Sequence, residues 1–124
     1  MDKLSFQQKI AIMRILFDII NADGRIDARE IFYFNKVAKI LGIGEEHRPA
    51  INEANSLLCL LEVNNLDTHQ KQDMAKMMGQ QIVVDTDINV NEMAIFELVC
   101  NTCDIDLKFE EVVNHNQIEN CSKS

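Results

Sequence analysis

Apolar residues recur at three- and four-residue steps along most of this chain, the spacing that lays one stripe along an α-helix. Ile10, Met13, Leu16, Phe17 and Ile20 share such a face within a predicted helix over Leu4 to Ile20, which Ala22-Asp23-Gly24-Arg25 interrupts. Asp27-Ala28-Arg29-Glu30 opens a second helix with Ile31, Phe34, Val37, Ala38 and Leu41 on one side. Gly42 and Gly44 end it, as glycine does just past a helix. Pro49 suits the first turn of a third helix, predicted to run on through Ile51, Ala54, Leu58 and Leu61. Asn64-Asn65-Leu66-Asp67-Thr68 reads as a turn and N-cap, followed by a long helix marked by Met74, Met77, Met78 and Ile82. Asp85-Thr86-Asp87 breaks that helix. Asn89 starts another, through Met93, Phe96, Val99, Cys100 and Cys103, and a last helix runs from about Asp106 through Phe109, Val112 and Val113. Residues 119–124 read as a frayed tail. No segment alternates with the period of a strand, so the predicted class is all-α.

The pattern also repeats. From Asp23 to Asp85 is a step of 62 residues, and that step carries Leu16 onto Met78, Ile20 onto Ile82 and Ile26 onto Ile88. It likewise carries Asp27 onto Asn89, Glu30 onto Glu92, Ile31 onto Met93, Phe34 onto Phe96, Val37 onto Val99 and Ile43 onto Ile105. The chain therefore reads as one domain over residues 1–124 built on an internal duplication, with helix, acidic loop, helix units at about 4–43 and 66–105.

Helix initiation accounts for most of the shared positions. Asp27 and Asn89 are N-caps, and Glu30 and Glu92 stand at the third helical position, where a carboxylate reaches back to the cap amide. Ile26 with Ile31, and Ile88 with Met93, have the spacing of a hydrophobic staple. Asp23 and Asp85 are left over. Asp23 to Glu30 matches the back half of a calcium-binding EF-hand loop: Asp, Gly24 for the sharp turn, Ile26, an oxygen ligand at Asp27 and Glu30 last. The front half fails, because Ile19 stands where the first oxygen ligand is required; in the second copy Gln81 and Val83 occupy those places and Thr86 replaces the glycine. A complete EF-hand is excluded. What remains is either helix capping alone or a reduced site in which Asp23 with Glu30, or Asp85 and Asp87 with Glu92, or both loops together, gather oxygens for a divalent cation, with calcium the leading candidate. Asp23 to Glu30 nets −1 once Arg25 and Arg29 offset its three acids, whereas Asp85 to Glu92 holds three acids and no base, so a hard cation should favour the second loop.

Composition narrows the function classes. At 124 residues and 47% apolar, the chain has material for one packed core. A net charge of −8 argues against surfaces that neutralise phosphate or dock on anionic lipid, so nucleic acid is not an expected partner. The start of the chain lacks a basic segment followed by an apolar core, and no run approaches the ~18 apolar residues of a spanning helix. The expectation is a cytoplasmic protein with no direct membrane insertion and with reduced cysteines. Cys100 and Cys103 have C-x-x-C spacing, but Cys59, Cys121, His47, His69 and His115 supply no second pair at ligand spacing. Small core residues on a helix is the preferred reading of that pair. No catalytic triad spacing, phosphate loop or H-E-x-x-H occurs, so an enzyme is not expected.

The paired loops, Ala22-Asp23-Gly24-Arg25-Ile26-Asp27-Ala28-Arg29-Glu30 and Val84-Asp85-Thr86-Asp87-Ile88-Asn89-Val90-Asn91-Glu92, with their spacing of roughly sixty residues, resemble the TerB family of tellurite-resistance-associated proteins over about Phe6 to Val113. The resemblance implies a compact bundle of about seven helices with a pseudo-two-fold axis, and an acidic patch that binds metal ions. Carried onto this chain, that patch is Asp23, Glu30, Asp85 and Glu92, with Asp27 and Asp87 beside them. It further implies a stress-response role, with a membrane-bound protein as partner. Two functions follow for testing: a non-enzymatic metal-binding or metal-responsive scaffold of a tellurite-resistance type system, or a metal-independent helical adaptor for a partner protein whose acidic loops serve only as caps.

Overall fold

A computed structural model describes residues 3–84 and 88–113. Among them the regular structure is helical throughout: α1 (Phe6–Asn21), α2 (Ala28–Ile40), a single 3-10 turn (Glu45–His47), α3 (Arg48–Glu53), α4 (Ser56–Asn64), α5 (Thr68–Val83) and α6 (Val90–Thr102). Helical backbone resumes at 109–113. The all-α expectation holds, and the acidic loops lie between α1 and α2 and between α5 and α6.

α1 is the central element. Ile12, Met13, Leu16, Ile19 and Ile20 are fully buried, and the helix packs chiefly on α4 and α5. Met74, Met78 and Ile82 of α5 and Phe96 and Val99 of α6 complete the interior. The three methionines named as core candidates divide accordingly: Met74 and Met78 are buried, and Met77 packs partly against the core.

The 62-residue step of the sequence reappears in the backbone. α1 and α5 are both 16 residues long, α2 and α6 both 13, and each bound of the first pair moves by that step onto a bound of the second. The two second helices even finish alike. The Ile43 amide donates to Ala38 O and the Ile105 amide to Cys100 O, both at 2.8 Å, across left-handed residues Gly42 (φ 74°) and Asp104 (φ 60°).

The third predicted helix is instead two. α3 ends at Glu53, Ala54 is extended (φ −64°, ψ 144°), and Asn55 caps α4 through Leu57 N and Leu58 N. An arginine on α1 stabilises the break. Arg14 donates through one terminal nitrogen to the carbonyls of Ile51 (3.0 Å) and Asn52 (2.7 Å) at the end of this short helix, where Ile51 O also accepts from Ala54 N at 3.3 Å. Its Nε holds Asp18 at 3.1 Å, and Asp18 in turn accepts from Ser56 Oγ at 2.7 Å. These long-range bonds give the sequence no local signal, which is why periodicity alone ran the helix through. The expected helix near Asp106 also begins later, at 109. The predicted frayed tail lies outside the described residues.

The α1–α2 and α5–α6 pairs differ in one layer. Phe17 of α1 meets Phe34 of α2 with ring centroids 6.2 Å apart. The positions 62 residues on are Gly79 and Phe96. With no side chain at 79, Phe96 instead takes Phe109 edge-on at 5.4 Å, and Val112 fills the space over Gly79.

Candidate functional site

Both acidic loops end in capped helices whose geometry is nearly the same: φ −95°, ψ 141° at Asp27 and φ −95°, ψ 139° at Asn89. Asp27 Oδ1 accepts from Arg29 N at 2.7 Å, and Glu30 Oε1 accepts from Asp27 N at 3.1 Å, which completes the expected capping box. Asn89 Oδ1 accepts from Asn91 N (2.8 Å) and Glu92 N (3.4 Å).

The four loop acids that fall among the described residues do not share one environment. Asp23 is partly exposed, and its Oδ1 accepts from Arg25 N at 2.9 Å, a local turn. Asp27 has both oxygens engaged by Arg29, through Nε at 3.0 Å and through a terminal nitrogen at 3.1 Å. That side-chain bond, helped by the backbone bond from Arg29, holds the Asp27 carboxyl below the usual aspartate value. Glu30 and Glu92, by contrast, are buried, at 1% and 0% exposure. Removing a carboxylate from water costs several kcal/mol, and both buried glutamates stand at the third position of a helix. Asp85 and Asp87 lie outside the described residues.

The loops are joined. Asn91 Nδ2 donates to Ala22 O at 3.3 Å, linking the start of α6 to the first loop. Gln81 Nε2 donates to Glu30 O at 3.0 Å, linking the end of α5 to the first turn of α2. Gln81 is itself fully buried, and Glu30, Gln81 and Glu92 are the buried polar side chains among the described residues. In an EF-hand template Gln81 is only an unsuitable first ligand, and its bond to Glu30 spans 51 residues of sequence. A polar residue on an otherwise apolar helical stripe was the available signal. In the structure, Ile19 and Asn21 are helical residues of α1, and Asn21 Nδ2 donates to Phe17 O at 2.8 Å, so the front half of an EF-hand loop has no counterpart here.

Asp23, Asp27, Glu30 and Glu92 do not suffice for a metal centre on their own. Among the described residues, no three His, Cys, Asp or Glu side chains converge in a way that could hold an ion.

The C-x-x-C pair sits in the core. Cys100 and Cys103 are buried at the end of α6, and Cys103 Sγ lies 3.5 Å from Leu60 O. Burial pushes the Cys100 thiol up to about 11, with the neighbouring Cys103 adding to the shift, and burial raises Cys103 as well. A redox or metal-binding thiol needs the opposite, a stabilised thiolate. Both residues act as small apolar side chains.

Comparisons with known proteins bear on the same residues. Residues 1–53 match the family model described as Tellurite resistance protein TerB, a stretch that takes in α1, the first acidic loop, α2 and α3. No curated protein matches the chain in sequence. Among solved structures, a protein of unknown function, PG1108 from Porphyromonas gingivalis W83, superposes with a TM-score of 0.72 over 93% of this chain and 98% of its own. At 22% identity that likeness establishes the shared fold. No helix among the described residues is long and apolar enough to cross a membrane. The family match takes in the first acidic loop and the helices on either side of it, so residues 1–53 of the chain are similar to TerB.

Proposed function

We propose that this chain is a non-enzymatic scaffold of a tellurite-resistance type system that binds one divalent cation between its two acidic loops. The two copies of the helix, loop, helix unit would each contribute oxygens. The observation that carries the reading is the junction itself: buried Glu30 and Glu92 stand at the third position of α2 and α6, and the loops that lead to them are tied together by Asn91 and Gln81. Asp85 and Asp87 would add two further acids, and the sequence from Asp85 to Glu92 holds no basic residue to compete for them. Hard cations such as calcium take six to eight oxygens, so carbonyls and water would complete the shell. Asp27 is assigned to capping, because Arg29 occupies both of its oxygens.

Calorimetric titration of the purified protein with calcium, magnesium, manganese and zinc tests this. One saturable event per chain is expected with at least one ion, weakened tenfold or more in Asp85→Asn/Asp87→Asn and unchanged in Asp27→Asn. No heat with any of the four at millimolar concentration would overturn the reading and leave the loops as helix caps.

A further inference from the structure

A cluster of exposed apolar residues on α4 and at the start of α1 lies away from the acidic loops. Leu57, Leu58 and Leu61 of α4 are 73%, 61% and 59% exposed, and Phe6 at the start of α1 is 49% exposed. Leu58, Leu61 and Phe6 border a groove of about 370 Å³ whose floor includes Ile10, Ala11 and Cys59. Single exposed leucines are ordinary, but a cluster that lines one concavity is the usual mark of a binding surface. The cluster is also avoidable. α4 already buries Cys59 and Val63 against the core, so the outward leucines contribute little to holding it there.

We infer that this groove docks an amphipathic helix of a partner protein that carries basic residues beside its apolar face. Three observations select that occupant. The described residues offer no sheet edge to extend, so a partner cannot dock by adding a strand, and a hydrophobic groove between helices takes a helix with apolar anchors three, four and seven residues apart. Glu62 is the one charged residue that lines the groove, and exposed Glu53 precedes Ala54 on its wall. The chain as a whole carries −8, so the field around the groove favours a cationic segment and opposes a second copy of the chain. The inference is independent of cation binding at the loops.

The test uses two fluorescein-labelled 18-residue helical peptides with the same leucine pattern, one with lysine and one with glutamate at the remaining positions, titrated into the full chain by anisotropy at 150 mM salt. The leucine–lysine peptide should bind, and Leu58→Ser/Leu61→Ser should weaken it at least tenfold. Glu62→Gln should weaken it severalfold, while Glu110→Gln, which does not line the groove, should not. Both leucines are exposed, so the double variant should keep its circular dichroism and melting temperature. The inference fails if the leucine variant binds equally well, which would reduce the contact to charge. It also fails if the glutamate peptide binds as tightly, if sedimentation shows a dimer that the leucine variant abolishes, or if the groove variants lose only binding to phosphatidylcholine vesicles.

Discussion

Gly79→Ala separates what a helix prefers from what this bundle permits. Gly79 lies in the interior of α5, where alanine is favoured over glycine by about 1 kcal/mol. Propensity alone therefore predicts a more stable protein. A Cβ at this position, however, would stand 2.6 Å from Val112 Cγ1 and 3.4 Å from Val112 Cβ. Val112 is 3% exposed and β-branched, so it cannot rotate away cheaply, and the helical segment at 109–113 must shift. Overpacking of this kind costs about 1–3 kcal/mol, which leaves the variant about 1 kcal/mol less stable after the propensity gain is counted. For a chain of this size that corresponds to a fall of about 3–5 °C in melting temperature. Urea denaturation followed by circular dichroism measures it. Adding Val112→Ala should make the two changes less than additive by about 1 kcal/mol, since the smaller residue admits the new methyl. A Gly79→Ala protein that is more stable than the parent, or strictly additive with Val112→Ala, would refute the packing of 109–113 over α5.

Two further outcomes follow from the backbone and the core. Gly42 and Asp104 end α2 and α6 in the same left-handed conformation, one with the suitable residue and one without. Gly42→Ala should cost about 1 kcal/mol and Asp104→Gly should gain up to about 1 kcal/mol, both read from urea midpoints. Cys100 and Cys103 should resist alkylation by iodoacetamide at pH 8 in the folded protein and react at the rate of free cysteine in 8 M urea, because burial raises both thiols and covers them. Equal rates in the two states would show an accessible thiolate instead.

The class, the order of most helices and the capped starts of α2 and α6 were legible in the chain, because each rests on local rules. A 3.6-residue stripe needs only its own residues, and Asp27 with Glu30 satisfies amide groups within one turn. The 62-residue step was legible too, since it compares the chain with itself. What the sequence could not decide came from contacts distant along the chain. Arg14 closes the end of α3 from 37 residues away, and so turns one predicted helix into two. Gln81 crosses 51 residues to Glu30, which converts an apparent failed ligand into the tie between the loops. Leu58 and Leu61, on the apolar positions of the predicted third helix, face outward, because Cys59 and Val63 already fill the interior side of α4. Sequence spacing sets which face of a helix is apolar; only packing decides which apolar faces find a partner within the chain.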